Sequence, residues 1–150
     1  MPAMDDVACW CTNFRRAALA LTARYDGALA PHGLKVTQFS LLRAVQRRGR
    51  ANLTALAGAT GLDRSTLGRN LRRLEESGLV SLTPGDDHRD RVVTLTRRGR
   101  ARVDAASLRW RELQDSIDAA LGEDAPAIAA GARRVTRLAG RADAGGELAA

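Results

Sequence analysis

The amino-acid sequence predicts a mainly α-helical protein with one small β-hairpin. Apolar residues recur at steps of three and four along the first and last thirds of the chain, which is the period of a helix buried on one side. Two short runs of alternating apolar and polar residues lie between them and predict paired strands. Aromatic residues make up only 3% of the 150 residues, so the core is expected to be aliphatic. A chain of this length fits one domain.

The N-terminal third predicts two helices. The first is expected to start near Asp5 and to end before Pro31, and the second to run from Gln38 to Arg47 between a cap at Thr37 and a stop at Gly49. The first helix carries an apolar seam made of Val7, Cys11, Phe14, Ala18, Leu21, Tyr25 and Ala28. The inward-facing residues of the second helix are Phe39, Leu42 and Val45.

Two further short helices are predicted next. Asn52 is a suitable cap for a helix that ends at Ala59, and residues 60–62 form the turn. Asp63 caps the following helix, from Arg64 to Ser77. Gly78 then stops it.

A β-hairpin follows these helices. Its strands are expected at Leu79 to Thr83 and at Arg91 to Leu95, around a loop of residues 84–90. Two short helices at a steep angle followed by a basic hairpin predict a winged helix-turn-helix. This arrangement places the second helix in the major groove of DNA and brings the hairpin, or wing, to the neighbouring minor groove.

The C-terminal third predicts two more helices. Thr96 caps a long one, from Arg97 to about Leu121, which Gly122 interrupts, and a last helix starts at Asp124. The seam of the long helix is made of Val103, Ala106, Trp110, Leu113, Ile117 and Ala120. The apolar face of the last helix is made of Ile128, Ala132, Val135 and Leu138.

A monomeric winged helix-turn-helix does not need long apolar seams on the helices before and after it. We therefore expect these outer helices to form a dimer, which divides the chain into three kinds of region. Residues 1–34 and 97–139 are dimerisation helices, residues 35–96 are the DNA-binding region, and residues 140–150 are a flexible tail. A homodimer would present two recognition helices to a pseudo-palindromic operator in double-stranded DNA. The alternative is that the seams close only a core within one chain.

Positive charge is concentrated on the predicted DNA-binding region and its flanks. Residues 43–102 contain 14 arginines and 6 acidic residues, a net of +8, whereas the whole chain carries +7. A localised basic surface is typical of phosphate binding. An arginine-rich composition from a GC-rich genome would raise the arginine content everywhere, so the localisation is the better argument for nucleic acid.

The order of elements resembles the MarR-type transcriptional regulators from about Cys11 to Leu138. The resemblance is carried by residues 62–67 (LDRSTL), 74–80 (LEESGLV) and 87–99 (DHRDRVVTLTRRG). It implies a homodimeric DNA-binding regulator, often a repressor released by a small phenolic or acidic ligand or by thiol oxidation. Gly68 departs from the family pattern, which often has Thr or Ser there, and this puts the operator sequence in doubt rather than the fold.

The groove-facing side of the recognition helix is predicted from its period. Leu67, Leu71 and Leu74 share the core face, and the opposite side carries the DNA-binding candidates Ser65, Thr66, Arg69, Arg72 and Arg73. Arg69 is the candidate for a base edge, because arginine to guanine is the commonest specific contact. Ser65 and Thr66 suit hydrogen bonds to phosphate or bases. The alternative for the arginines is a solvated charged face, and Asn70 at its edge is interpreted as structural.

In the wing, Arg89 is the candidate for the minor groove, which attracts arginine where it is narrow. Arg91 is a further DNA-binding candidate that also supports the hairpin. Asp87 and Asp90 are expected to brace these arginines. His88 is interpreted as a polar turn residue, with a phosphate contact as the alternative.

The two cysteines, Cys9 and Cys11, are possible redox residues. Cys11 lies on the seam, where a free cysteine is commonly a core residue. Cys9 lies off the seam near a helix N-terminus and near Arg15 and Arg16, conditions that lower a thiol pKa. If both were helical they would point about 200° apart and would not form a disulfide with each other without unwinding.

A pocket for a small-molecule effector, implied by the family resemblance, is expected between the dimer helices and the DNA-binding region. The candidate lining residues are Phe14, Arg15, Thr37, Phe39 and Trp110.

The sequence argues against several other classes. It has no glycine-rich phosphate loop and no paired acid–base motif, so no enzyme and no cofactor are expected, and no His/Cys cluster suggests a metal. No apolar run approaches the length of a membrane span and no secretory signal is visible, which predicts a cytoplasmic protein. The alternative function is a winged helix used only for protein contacts, but such a module should carry apolar residues where this one is basic.

Overall fold

The computed structural model describes residues 9–87 and 89–141. Within them the helices are α1 (Trp10–Leu29), α2 (Val36–Arg48), α3 (Leu53–Thr60), α4 (Arg64–Glu76), α5 (Arg97–Leu121) and α6 (Ala125–Arg141). The strands in the same residues are β1 (Arg50–Asn52), β2 (Val80–Pro84) and β3 (Arg91–Leu95). The predicted mainly helical class with a small hairpin is therefore confirmed. None of the described helices has both the length and the apolar content that a membrane crossing needs.

The helix-turn-helix has the predicted caps. The Asn52 side chain accepts a hydrogen bond from the Ala55 N–H at 2.8 Å at the start of α3. Asp63 accepts one from the Thr66 N–H at 2.8 Å at the start of α4. After α4, Gly78 has a φ of 69°, a conformation in which glycine is favoured because it has no Cβ. Capping by short polar side chains and termination by glycine thus fix both helices locally.

The predicted start of the first helix near Asp5 is wrong. Cys9 has extended backbone angles (φ −90°, ψ 103°) and is the N-cap, so α1 begins at Trp10. The Cys9 thiol accepts a hydrogen bond from the Thr12 N–H at 3.5 Å. The sequence did not indicate this cap because cysteine is not among the common N-cap residues. The predicted seam residue Val7 lies outside the described part of the chain.

The predicted cap of the second helix at Thr37 is also wrong. α2 starts at Val36, and its N-cap is Lys35. The Val36 N–H donates to the Asp26 carboxylate at 2.7 Å, and the Lys35 N–H donates to the Gln38 side chain at 3.0 Å. One of these acceptors belongs to α1, so the start of α2 depends on a contact between two helices.

A third strand was not predicted. β1 pairs antiparallel with β3, with Arg50 opposite Thr94 and Asn52 opposite Val92. β3 also pairs with β2, so the order in the sheet is β1-β3-β2. A strand of three residues is too short for alternation to reveal it. Of the two predicted strands, β3 has the expected bounds and β2 starts one residue later.

The core lies between the C-terminal end of α1, α2, α3, α4, the sheet and the first half of α5. It contains the predicted inward-facing residues of α2 and α4, and its largest fully buried side chains are Phe39, Leu29, Leu41, Leu42, Leu56, Leu67, Leu71, Leu74, Val45, Val93 and Val103. This aliphatic core holds α4 and the wing in fixed positions on its surface.

The start of α5 is fastened to the turn that follows α4. The Thr96 hydroxyl donates to the Gly78 carbonyl at 2.6 Å and accepts from the Gly99 N–H at 3.0 Å. Gly99 is buried, and a Cβ placed on it would lie only 1.9 Å from the Leu79 carbonyl oxygen. The close approach of these two backbones therefore requires glycine.

The chain divides into two compact units after Arg111. Within its described residues, the second unit contains the end of α5, a 3₁₀ turn (Gly122–Asp124) and α6. α5 has the predicted bounds, and α6 starts one residue after the predicted Asp124. Ile128 and Leu138 of α6 are 51% and 63% exposed. Of the predicted flexible tail, residues 142–150 lie outside the described residues.

Candidate nucleic-acid interface

Helix α4 has one buried and one exposed side. Leu67, Leu71 and Leu74 are at most 1% exposed. Four of the five candidate DNA-binding residues of this helix are exposed, and the fifth, Thr66, is half-buried. The exposed four are Ser65, Arg69, Arg72 and Arg73. Because the leucines anchor the other side, three of the candidate DNA-binding residues of α4 present guanidinium groups to solvent, and Arg64 at the start of the helix is exposed as well.

The first turn of α4 contains a chain of side-chain hydrogen bonds. The Thr66 hydroxyl lies 2.7 Å from the second carboxylate oxygen of Asp63. The Arg69 guanidinium donates to the same hydroxyl at 3.3 Å. Hydrogen bonds from the Thr66 backbone and side chain lower the pKa of Asp63, and the charge of Arg69 adds a smaller effect.

Asn70 donates from its side-chain amide to the Thr66 carbonyl at 2.9 Å. This contact within the helix agrees with the structural interpretation of Asn70.

Gly68 lies beside a shallow groove between α4 and the wing, where it is half-buried. A Cβ at this position would meet nothing within 4 Å, so the fold itself does not require glycine here. The groove is lined by Leu53, Gly68, Leu71, Arg72, Glu75, Leu82 and Arg91. Two of its residues are joined by a hydrogen bond from the Leu82 N–H to the Glu75 carboxylate at 3.4 Å.

The wing presents Arg89 and Arg91 to solvent. Asp87 accepts a hydrogen bond from the backbone N–H of Arg89 at 3.2 Å. Asp90 accepts from the Asn52 side-chain amide at 3.4 Å. In these contacts the two carboxylates brace the wing backbone and its connection to the start of α3 rather than a guanidinium. His88, for which a turn role was predicted, lies outside the described residues.

Both cysteine thiols are exposed, so the expectation that Cys11 is a core residue does not hold within this chain. Arg15 donates to the Cys11 sulfur at 3.6 Å. Hydrogen bonds from the Thr12 side chain and backbone lower the pKa of Cys9, and the charge of Arg15 is only a minor cause. The predicted lowering of this thiol pKa therefore has a different main origin.

The candidate pocket residues lie in three places, and only Phe39 and Trp110 are shown in contact. The rings of Phe39 and Trp110 lie 6.1 Å apart. Phe14 and Arg15 lie on α1, about 18 Å along the helix axis from Asp26, where α1 contacts the start of α2. Thr37, in the first turn of α2, is half-buried.

The sequence analysis missed Arg43. Its guanidinium lies 4.1 Å from the centre of the Trp110 ring and 5.7 Å from that of Phe39, within the range of a cation–π interaction. Burial lowers the pKa of Arg43, and the charges of Arg47 and Arg111 add to this effect. The spacing of four between Phe39 and Arg43 is the signal that indicates such a pair on a helix.

Comparison with known proteins gives relatives over most of the chain. The MarR family profile matches residues 32–90. The crystal structure of the M. tuberculosis transcriptional regulator MosR in complex with DNA is 37% identical, covers 91% of this chain and 97% of its own, and superimposes with a TM-score of 0.78. The transcriptional repressor CouR bound to a 23-mer DNA duplex is 25% identical, covers 86% and 92%, and has a TM-score of 0.73.

A curated relative agrees with these structures. It is an uncharacterized HTH-type transcriptional regulator of Bacillus subtilis, YwoH, with 22% identity over 105 residues, which are 70% of this chain and 77% of that protein. The family and these relatives are transcriptional regulators and not enzymes. The match to MosR over nearly the full length of both chains, together with the exposed arginines of α4 and the wing, shows that this chain is a DNA-binding transcriptional regulator that belongs to the MarR family.

Proposed function

We propose that the protein is a homodimeric repressor that binds a pseudo-palindromic operator. The observation that carries this proposal is the pairing of an arginine-bearing recognition helix and wing with a first helix whose apolar residues are left exposed. Arg69 would read a base edge in the major groove, and Arg89 would enter the minor groove. A protein with this task acts where the chromosome is, in the bacterial cytoplasm.

The exposed apolar side of α1 supports dimerisation. The Trp10 and Phe14 rings lie with their centres 6.2 Å apart and their planes tilted by 34°, yet Trp10 is 73% exposed and Leu21 is 42% exposed. Large exposed apolar patches mark association surfaces. A second copy of the chain is the occupant we propose, because two recognition helices match two half-sites. The 23-mer bound by CouR spans about two turns of B-DNA, as two half-sites require.

Two matched variants test the dimer. Leu21→Asp places a charge on the α1 seam, whereas Leu19→Asp places the same charge about 200° away on the same helix. Both leucines are exposed, so neither change disturbs the core of one chain. We expect Leu21→Asp to give monomers in sedimentation and Leu19→Asp to remain dimeric.

Sedimentation with a palindromic duplex tests the complete proposal. The duplex is first selected by the protein from a random library. Two chains per duplex are expected for the unchanged protein, with loss of the complex for Leu21→Asp. A monomer that binds a single half-site equally well would contradict the dimer, and failure to select any sequence would favour the protein-interaction alternative.

We further propose that oxidation of Cys9 lowers DNA affinity. Attack of the thiolate on peroxide forms an S–O bond, breaks the O–O bond and releases hydroxide, leaving a sulfenic acid. The exposed position of Cys9 and its lowered pKa both favour this reaction. The sulfur also caps α1, so its oxidation acts at the start of the helix proposed to form the dimer.

Serine substitutions separate the redox role from capping. Cys9→Ser retains a preferred N-cap group and is expected to keep its DNA affinity in peroxide, whereas Cys11→Ser should respond like the unchanged protein. If peroxide leaves the affinity of the reduced, unchanged protein as it was, the redox proposal is wrong.

A small anionic aromatic effector is the second candidate regulator. The Trp110 ring is half-buried and packs on the buried Phe39, and Arg43 lies 4.1 Å from the centre of the Trp110 ring, so an aromatic ring and a cation lie side by side. In a Trp10→Phe variant, Trp110 is the remaining tryptophan, and benzoate is expected to change its fluorescence. Adding Arg43→Met should abolish the response. An equal response to uncharged benzamide would contradict the anion preference.

A further inference from the structure

The side chains of Asp63, Thr66 and Arg69 form a hydrogen-bonded chain along the first turns of α4. In the helix cap, one Asp63 oxygen accepts from the Thr66 N–H at 2.8 Å. The other oxygen lies 2.7 Å from the Thr66 hydroxyl. Asp63 therefore contacts both the backbone and the hydroxyl of Thr66, and the hydroxyl contact extends the cap toward the side chains of α4.

The direction of each hydrogen bond follows from the chemistry of the groups. An ionised carboxylate only accepts, and a guanidinium only donates. The Thr66 hydroxyl has one proton, so it donates that proton to Asp63 and accepts from Arg69, whose guanidinium nitrogen lies 3.3 Å away. The Asp63 carboxylate is ionised at neutral pH, because its pKa lies below an ordinary value of 3.8.

This chain of bonds draws the Arg69 guanidinium back toward the N-terminal end of α4. Residues near that end of a recognition helix contact base edges. An exposed arginine has several rotatable bonds, and holding them in one conformation lowers the cost of binding a base. With its proton given to Asp63, the Thr66 hydroxyl is not a donor to DNA.

We propose that Asp63 and Thr66 are positioning residues that hold Arg69 in its base-reading orientation. Thr66, a candidate for a direct DNA contact on sequence grounds, acts instead through Arg69. This inference rests on the proposed base contact of Arg69. It identifies two residues that set specificity without touching a base.

The test measures discrimination, which is the affinity for the selected duplex divided by the affinity for each single-base-pair variant of it. Arg69→Ala identifies the base pair that Arg69 reads. Thr66→Val, which keeps the shape but removes the hydroxyl, is expected to lower discrimination at that same base pair by about 2- to 12-fold, the equivalent of restricting one long side chain. Thr66→Ser should restore it, and the control is Ser77→Ala, which removes an exposed hydroxyl at the C-terminal end of α4.

Asp63→Asn gives a second, independent signature. Asparagine is as good an N-cap as aspartate, so α4 is retained, but the amide nitrogen is not an acceptor for the Thr66 proton. Discrimination at the Arg69 base pair is expected to fall, while affinity for scrambled DNA rises because a negative charge near the phosphates is removed. A purely structural role for Asp63 would lower both affinities together.

The outcomes separate this inference from the proposed function. If Arg69→Ala weakens all duplexes equally, the proposed base contact fails and the positioning role fails with it. If Arg69→Ala relaxes one base pair and Thr66→Val leaves that preference intact, only the positioning role is overturned. Loss of preference at a different base pair in Thr66→Val overturns it too, since Thr66 would then contact DNA directly.

Discussion

Replacing Gly99 by alanine tests the close approach between α5 and the turn after α4. The new Cβ would lie 1.9 Å from the Leu79 carbonyl oxygen, and an ordinary contact needs 3.4 Å, so the two backbones must separate by about 1.5 Å. Overpacking of this kind costs about 1–3 kcal/mol. Separation also strains the hydrogen bond between Thr96 and Gly78, worth about 1 kcal/mol, while alanine returns about 1 kcal/mol of helix propensity.

On balance the free energy of unfolding of Gly99→Ala is expected to fall by about 1–3 kcal/mol. Urea unfolding followed by far-UV circular dichroism measures it, at one fixed protein concentration because association shifts apparent stability. Gly68→Ala is the matched control. It lies inside α4 with open space around its Cβ and should gain about 1 kcal/mol. If the two variants unfold at the same urea concentration, the reasoning from the Gly99–Leu79 contact is refuted.

Three further results are expected. Arg89→Ala should weaken binding to operator and scrambled duplexes alike and reduce the salt dependence of binding by about one counterion per subunit. Fluorescence anisotropy at several salt concentrations measures this dependence, and an unchanged slope of affinity against salt concentration would place Arg89 away from phosphate. The pKa of Asp63 is lowered in the folded protein, so its ionised form stabilises the fold fully above the ordinary value of 3.8, and this stabilisation is lost as the pH falls below that value. The free energy of unfolding of Asp63→Asn should therefore depend less on pH in the acidic range than that of the unchanged protein. Acid-unfolding curves of the two proteins that run parallel would contradict this expectation. Thr12→Ala should slow alkylation of Cys9 by iodoacetamide, because it removes the side-chain hydrogen bond that is the main cause of the lowered thiol pKa. Peptide mass spectrometry gives the alkylation rate of Cys9 relative to that of Cys11, and an unchanged ratio of the two rates would exclude this cause.

The elements that the sequence predicted well are those fixed by neighbours in the chain. Asn52 and Asp63 cap their helices through residues three positions later. Leu67, Leu71 and Leu74 are buried because the helical period puts them on one side. These signals are local and need no knowledge of the rest of the fold.

Two of the elements that it missed depend on contacts distant in sequence, whereas the start of α1 was missed because its local cap is a cysteine. The start of α2 is satisfied by Asp26, ten residues earlier and on another helix. Strand β1 exists because Arg50 and Asn52 pair with residues of β3 about forty positions later. No periodicity within three residues reports such pairing.

The candidate DNA surface divides in the same way. The helical period predicted which arginines of α4 are exposed. It did not indicate which groups form hydrogen bonds with the Thr66 hydroxyl. Thr66 was assigned to DNA because its position and chemistry suit a phosphate or a base. Only the distances to Asp63 and Arg69 reveal that its hydroxyl already has two partners.

The Asn52 side chain uses both ends of its amide, and this restricts what can replace it. Its oxygen caps α3 through the Ala55 N–H, while its nitrogen donates to Asp90 in the wing. Aspartate would keep the cap but oppose the Asp90 carboxylate, and serine is too short to reach both partners. A wing loop that moves away to fit a wider minor groove must therefore break the hydrogen bond between Asp90 and Asn52. Because Asn52 also caps α3, adjustment of the wing to different operators loosens the residue that starts the helix-turn-helix.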